Sequence, residues 1–216
     1  MRKEPDDLEF RSYSRVGFVS TYLEIAIDCY LDLIADRKEY QSIIDKGGEY
    51  HDGSFFYYEH DRELELTNRQ RKGTIKVVIF VSIFLESYIN QLAGIVFGDK
   101  YSKEHLDKLD FISKWIIIPR LITGKELNKS HAYFGRLKTM SKWRNKLVHH
   151  KSKDASFLNQ PWTKEKAEQF RPLYEQIDVD GLFLMIEELF KALDLIDKPG
   201  YHLFSISKQM ERLRNV

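Results

Sequence analysis

VVIFVSIFLESYIN, residues 77 to 90, decides how this 216-residue chain folds. Its apolar positions surround a helical cylinder almost completely, and one charge, Glu86, interrupts them. A helix that is hydrophobic nearly all round belongs at the centre of a bundle. Thr67 to Phe97 is therefore expected to be the central buried helix, closed by Gly98. The longest strongly apolar run, Val77 to Leu85, falls short of the roughly 20 residues that span a bilayer. Met1 to Phe10 mixes charges and has no apolar leader. These features predict a cytoplasmic, unanchored protein with no membrane partner.

Outward from this helix, Gly and Pro are scarce inside long periodic segments, and no series of short alternating strands appears. The fold class is all-α: a helical bundle with an additional N-terminal helix and a C-terminal capping helix, in one domain over 1–216. Phe18, Tyr22, Ile25, Ala26, Cys29, Leu33 and Ile34 recur at helical spacing and predict a first helix from Val16 to about Tyr40. Gly47 to Tyr58, GGEYHDGSFFYY, breaks the pattern and reads as a loop or a short hairpin. Residues 1–66 thus form a helical extension with an aromatic loop. Further helices are predicted from Asp110 to Ile118, ending at Pro119, and from His131 to Lys151. After a loop with Pro161, others run near Glu165 to Tyr174 and from Val179 to Ile196, with a stop at Pro199-Gly200. Met210 and Leu213 belong to the capping helix.

Apolar residues make up 43% and charged residues 31%, an ordinary globular composition. Lys and Arg number 34 against 33 Asp and Glu, so any electrostatic bias lies in local distribution. Cys29 is the only cysteine, which excludes an intrachain disulfide framework and a multi-cysteine zinc site.

Residues 143 to 151, WRNKLVHHK, set a charge where helical periodicity asks for an apolar residue. Leu137, Met140, Leu147 and Val148 share one side of the wheel, and Arg144 projects into their stripe. Desolvating an unpaired guanidinium costs several kcal/mol. Arg144 therefore needs a carboxylate partner, an opening onto a cleft, or both. The central helix offers one, since Ser82, Glu86 and Asn90 are spaced i, i+4, i+8 along a polar line. Pairing Glu86 with Arg144 would either anchor a site or merely set helix register.

Between Leu127 and Lys153 the chain carries eight Lys or Arg residues and no Asp or Glu, a cationic surface suited to a polyanion or a plainly solvated face. Lys138, Lys142, Asn145 and His149 lie within roughly 60° of one another on the wheel, so an imidazole shares a face with an amide and two cations. This is either an anion site containing an acid or base, or a surface histidine among lysines. Arg144, about 140° round from His149, meets it at one phosphate only if its stem bends or the helix frays there.

The string Arg144-Asn145-Lys146-Leu147-Val148-His149 resembles the R-N-x-x-x-H signature of HEPN domains, small all-α nucleotide-binding domains. Phe84 to Asn90 and Ile118 to Lys125 are similar to segments preceding that signature, and the resemblance covers 68–196. It implies metal-independent endoribonuclease activity on single-stranded RNA, with no cofactor, in a site shared across a homodimer. Arg144, Asn145 and His149 would be catalytic, with Glu86, Asn90, Lys142, Lys138 and His150 in support. The RNA 2′-OH is the nucleophile, so the protein needs only proton transfer and charge stabilisation, leaving 2′,3′-cyclic phosphate ends. By analogy such a protein acts as a toxin–antitoxin or antiviral-defence effector restrained by an antitoxin or regulatory protein. Some such toxins carry a tyrosine two residues after the motif histidine; here that position is Lys151. The alternative is a non-catalytic HEPN-like module that binds RNA, a nucleotide or a protein partner.

Competing constellations are weaker. His51, Asp52, His60 and Asp61 follow no metal-ligand spacing. Phe55, Phe56, Tyr57 and Tyr58 are expected in the core rather than stacked on bases. Gly124-Lys125 lacks the glycine run of a phosphate loop, and Cys29 lies on an apolar helix face.

Overall fold

The computed structural model describes residues 18–149, 173–197 and 201–214. It is an all-α helical bundle with one small two-stranded sheet. Helix α1 (Val19–Lys46) leads into the hairpin β1 (Gly48–His51) and β2 (Ser54–Tyr57), which leads into α2 (His60–Phe97). A helical turn at Asp99–Tyr101 and a π-helical turn at Ser102–Leu106 precede α3 (Phe111–Thr123). Then come α4 (Ala132–Val148), a 3₁₀ turn at Leu173–Gln176, α5 (Val179–Ile196) and α6 (Tyr201–Glu211).

The 38 residues of α2 make it the axis of the molecule, about 57 Å long at 1.5 Å per residue. Val77, Val78, Val81, Phe84, Leu85 and Ile89 are all buried. By length and composition alone α2 could cross a membrane, but half of its apolar window is covered by the rest of the protein. Helix α1 runs antiparallel to it: Glu39 pairs with Arg62, Asp36 with Arg69, and a Cβ placed on Gly73 would lie 3.6 Å from the Leu33 side chain. On the other side Phe84 stacks on Phe190 of α5 at 5.7 Å. Helix α6 closes the bundle, Arg212 reaching Asp28 at 2.6 Å. His202 at its start is fully buried between the Tyr88 hydroxyl (2.6 Å) and the Asp197 carboxylate (2.9 Å).

Several expectations shift. Helix α2 begins seven residues before Thr67, because ion pairs such as Arg62 with Glu39 fix its polar first turns on α1. Helix α3 passes through Pro119 and ends at Thr123; burial of Trp115, Ile118 and Pro119 outweighs the missing backbone bond, and Gly124 closes the helix at φ 75°. Helix α4 stops at Val148 rather than Lys151. The helix expected near Glu165 to Tyr174 lies mostly outside the described residues, and its final positions join the 3₁₀ turn. Pro161 and Pro199-Gly200 also lie outside them. Helix α5 has the expected limits.

The segment from Gly47 is a hairpin, turning at Asp52 and Gly53, both at positive φ. Its aromatics are not core: Phe55, Phe56 and Tyr58 are exposed and Tyr57 is only half-buried, because a two-stranded ribbon with no covering layer fully buries neither face. Replacing residues 48–57 with a short Gly-Ser linker is therefore expected to leave the thermal midpoint within a few degrees of wild type by circular dichroism. The Asp110 side chain caps α3 by accepting from the N–H groups of Ile112 and Ser113. Asp110→Ala should cost about 1 kcal/mol in urea unfolding. Hydrogen bonds from Ser113 hold the Asp110 carboxyl below its ordinary value. The cap is thus fully effective above the unfolded carboxyl range near pH 4 and is lost as pH falls through the lower folded value.

Candidate active site

Three helices meet at Glu86. Its Oε2 lies 3.7 Å from Nη2 of Arg144 on α4, and its Oε1 lies 3.2 Å from Nζ of Lys114 on α3. Lys114 also reaches Oδ1 of Asp107 at 3.4 Å. The Lys114 side chain is only 2% exposed, against 31% for Glu86 and 39% for Arg144. The expected pair is present, but Glu86 is half-buried rather than buried and shares its two oxygens between two cations. Lys114 is the member that sequence reasoning missed.

Helix α4 explains why Arg144 is half in and half out. Tyr133, Phe134, Leu137 and Met140 are buried, Leu147 is partly so, and Val148 is 56% exposed. The apolar stripe runs off the edge of the core at its C-terminal end, and Arg144 sits where it does so. One guanidinium nitrogen faces Glu86, which leaves other N–H groups for a ligand. Charge is therefore available at the surface without an unpaired buried cation.

Lys138, Lys142, Asn145 and His149 are all exposed, as their shared wheel face requires. The Lys138 ammonium lies over the Phe134 ring at 5.0 Å. His149 stands just past the last helical residue, with φ −110° and ψ 41°, and its N–H donates to the Asn145 carbonyl at 2.9 Å. The backbone thus leaves helical geometry at His149, one of the two conditions under which it and Arg144 can approach a common phosphate. Asn90 lies one turn beyond Glu86 and lines a cavity of about 240 Å³ with Ser102 and Asp107. Ser82 instead donates to the Val78 carbonyl of its own helix at 2.6 Å. His150 lies outside the described residues.

The other constellations stay apart from this site. His51 pairs with Glu49 at 3.1 Å, and His60 with Glu63 at 3.5 Å. Among the described residues no three His, Cys, Asp or Glu side chains gather as a metal site would require. Burial pushes the Cys29 thiol above its ordinary value, which disfavours the thiolate needed of a nucleophile. Compared with known proteins, the chain matches no family model, no curated protein and no solved structure.

The Glu86 junction makes a thermodynamic prediction. Glu86→Ala removes one of two carboxylates from a buried lysine and should destabilise the fold by about 2 kcal/mol, discounted from the usual cost of a broken buried pair because Asp107 remains. Adding Lys114→Met should restore most of that loss in urea unfolding; equal stability of the single and double variants would contradict the pairing.

Proposed function

We propose that this protein is a metal-independent endoribonuclease of HEPN type, acting on single-stranded RNA as a homodimer. The observation that carries this reading is Arg144, held by Glu86 yet 39% exposed, five residues before an exposed histidine at the end of the same helix. The cationic face of Lys138 and Lys142 supports a polyanionic ligand.

The chemistry follows from the residue types. The 2′-oxygen forms a bond to phosphorus and gives its proton to His149; the P–O5′ bond breaks and the 5′-oxygen takes a proton from the imidazolium of the second protomer. A 2′,3′-cyclic phosphate and a 5′-hydroxyl result. Arg144 donates to the non-bridging oxygens in a paired geometry that lysine cannot copy. Asn145 orients the phosphate or the imidazole, and Lys142 adds positive potential. A two-fold axis allows Arg144 of one chain to serve with His149 of the other. Action in the cytoplasm, as an effector restrained by a regulatory protein, extends this reading by analogy.

Incubation of purified protein with total RNA in EDTA tests it. Wild type should cut and leave cyclic phosphate ends, while Arg144→Ala and His149→Ala, both folded and dimeric, should lose activity by about a hundredfold or more. Cleavage that needs a metal, or survives His149→Ala, would refute the scheme. A module that only binds would retain an uncleavable RNA and cut nothing.

A further inference from the structure

Two glycines face one groove, and only one has an internal explanation. A Cβ on Gly181 would lie 2.1 Å from Oδ2 of Asp178, whose Oδ1 accepts the Gly181 N–H at 2.9 Å. Glycine is therefore required there by the cap of α5. Gly135, in the first turn of α4, is different: a Cβ on it would meet nothing within 4 Å. A helical glycine costs up to about 1 kcal/mol relative to alanine, and among the described residues no packed neighbour requires it.

The space over Gly135 is a groove of about 360 Å³ between α4 and the start of α5. The half-buried Trp143 walls it, Gly135 and Thr139 form its floor, and Asp178 stands opposite. Arg136 also lines it, with Nη1 3.2 Å from Glu188 and the side chain 37% exposed. Lys142, exposed beside Trp143 along the helix, brings one cation toward the rim, whereas the Lys138 ammonium turns away over Phe134. An indole wall, a floor of one glycine and one small threonine, an acceptor, and the Arg136 and Lys142 cations together match a flat aromatic ring with amino donors attached to phosphates.

We infer that the groove over Gly135 is a subsite for one base of single-stranded RNA, stacked against Trp143, with an exocyclic amine facing Asp178 and a phosphate near Arg136 and Lys142. The inference rests on the ribonuclease reading and adds to it the place where the strand is gripped. Trp143 and His149 are separated by about 9 Å along the helix axis, the span of about two or three stacked nucleotides at ~3.4 Å each. The gripped base is thus a near neighbour of the scissile phosphate.

The test uses 2′-O-methyl RNA octamers of each of the four bases, which bind but lack the nucleophile. Gly135→Leu places a side chain in the groove and improves helix propensity, so its thermal midpoint should match or exceed wild type. Its affinity for the best octamer should fall about tenfold, the size of one stacking contact. Trp143→Leu, which keeps apolar bulk against the core, should lose affinity similarly and serves if Gly135→Leu misfolds. Unchanged affinity in both variants overturns the subsite while leaving RNA cleavage in EDTA to decide the ribonuclease reading. Weakened binding without any cleavage by wild type upholds the subsite and refutes the enzyme. If wild type binds none of the octamers, the subsite is overturned, and absence of cleavage would then remove the ribonuclease reading as well.

Discussion

One carboxylate with a cation on each oxygen is the constraint around which the centre of this structure is arranged. Glu86 rises from the apolar middle of the central helix and meets Lys114 and Arg144 from two others. The three charges are unequal in exposure, and that inequality matters. Lys114, almost wholly out of water, depends on Glu86 and Asp107 for its counter-charge; Arg144 has solvent as a second partner. The apolar core is non-directional, so burial of leucines and valines alone fixes neither the rotation nor the axial register of α3 and α4 against α2. A polar junction with oxygen-to-nitrogen distances of 3.2 to 3.7 Å is sensitive to both. A buried ionic cluster is weak support for stability, and its plainest contribution here is to where Arg144 points.

From that fixed point α4 divides its circumference into three faces. One buries Tyr133, Phe134, Leu137 and Met140; the second carries Lys138, Lys142, Asn145 and His149 into solvent; the third, with Gly135, Thr139 and Trp143, borders the groove toward α5. Arg144 belongs to the first face by angle but is 39% exposed, because the core ends before the helix does. Had α4 stopped a turn earlier, Arg144 would have no helical backbone to aim it. Had the core continued to Val148, the guanidinium would be sealed against Glu86 with no face left for a ligand.

Helical periodicity made most of the bundle legible, and the failures have definite causes. The limits of α5 follow from an apolar stripe bounded by an aspartate cap at Asp178 and a break after Ile196. Helix α3 ran past its proline because burial of Trp115, Ile118 and Pro119 itself competed with the local rule and won. The aromatics of the hairpin looked like core by composition, yet a ribbon of two strands has nothing to bury them against. Arg144 was found because it interrupts an apolar stripe. Lys114 interrupts one in the same way, falling beside Phe111, Trp115 and Ile118 at i−3, i+1 and i+4, and the reasoning applied to the arginine would have found it. Gly135 left no such signal, since the sequence does not say which side of a helix stays uncovered.

The buried lysine also separates what the fold needs from what the site needs. An apolar residue at position 114 would avoid the desolvation of an ammonium group, and replacing a buried ionic cluster with well-packed apolar residues is often neutral or stabilising. The same replacement at Glu86 would leave Arg144 without its counter-charge, and a long flexible cation at the rim of a core then turns fully into water and samples many rotamers. With Lys114 in place, Glu86 is held from behind by one oxygen and can hold Arg144 in front with the other. The guanidinium is thereby restrained 3.7 Å from Glu86, and under the proposed function an arginine restrained in advance loses less entropy on binding a phosphate. Stability alone gives no reason to keep a charge at Lys114, whereas preorganisation of an exposed arginine requires one.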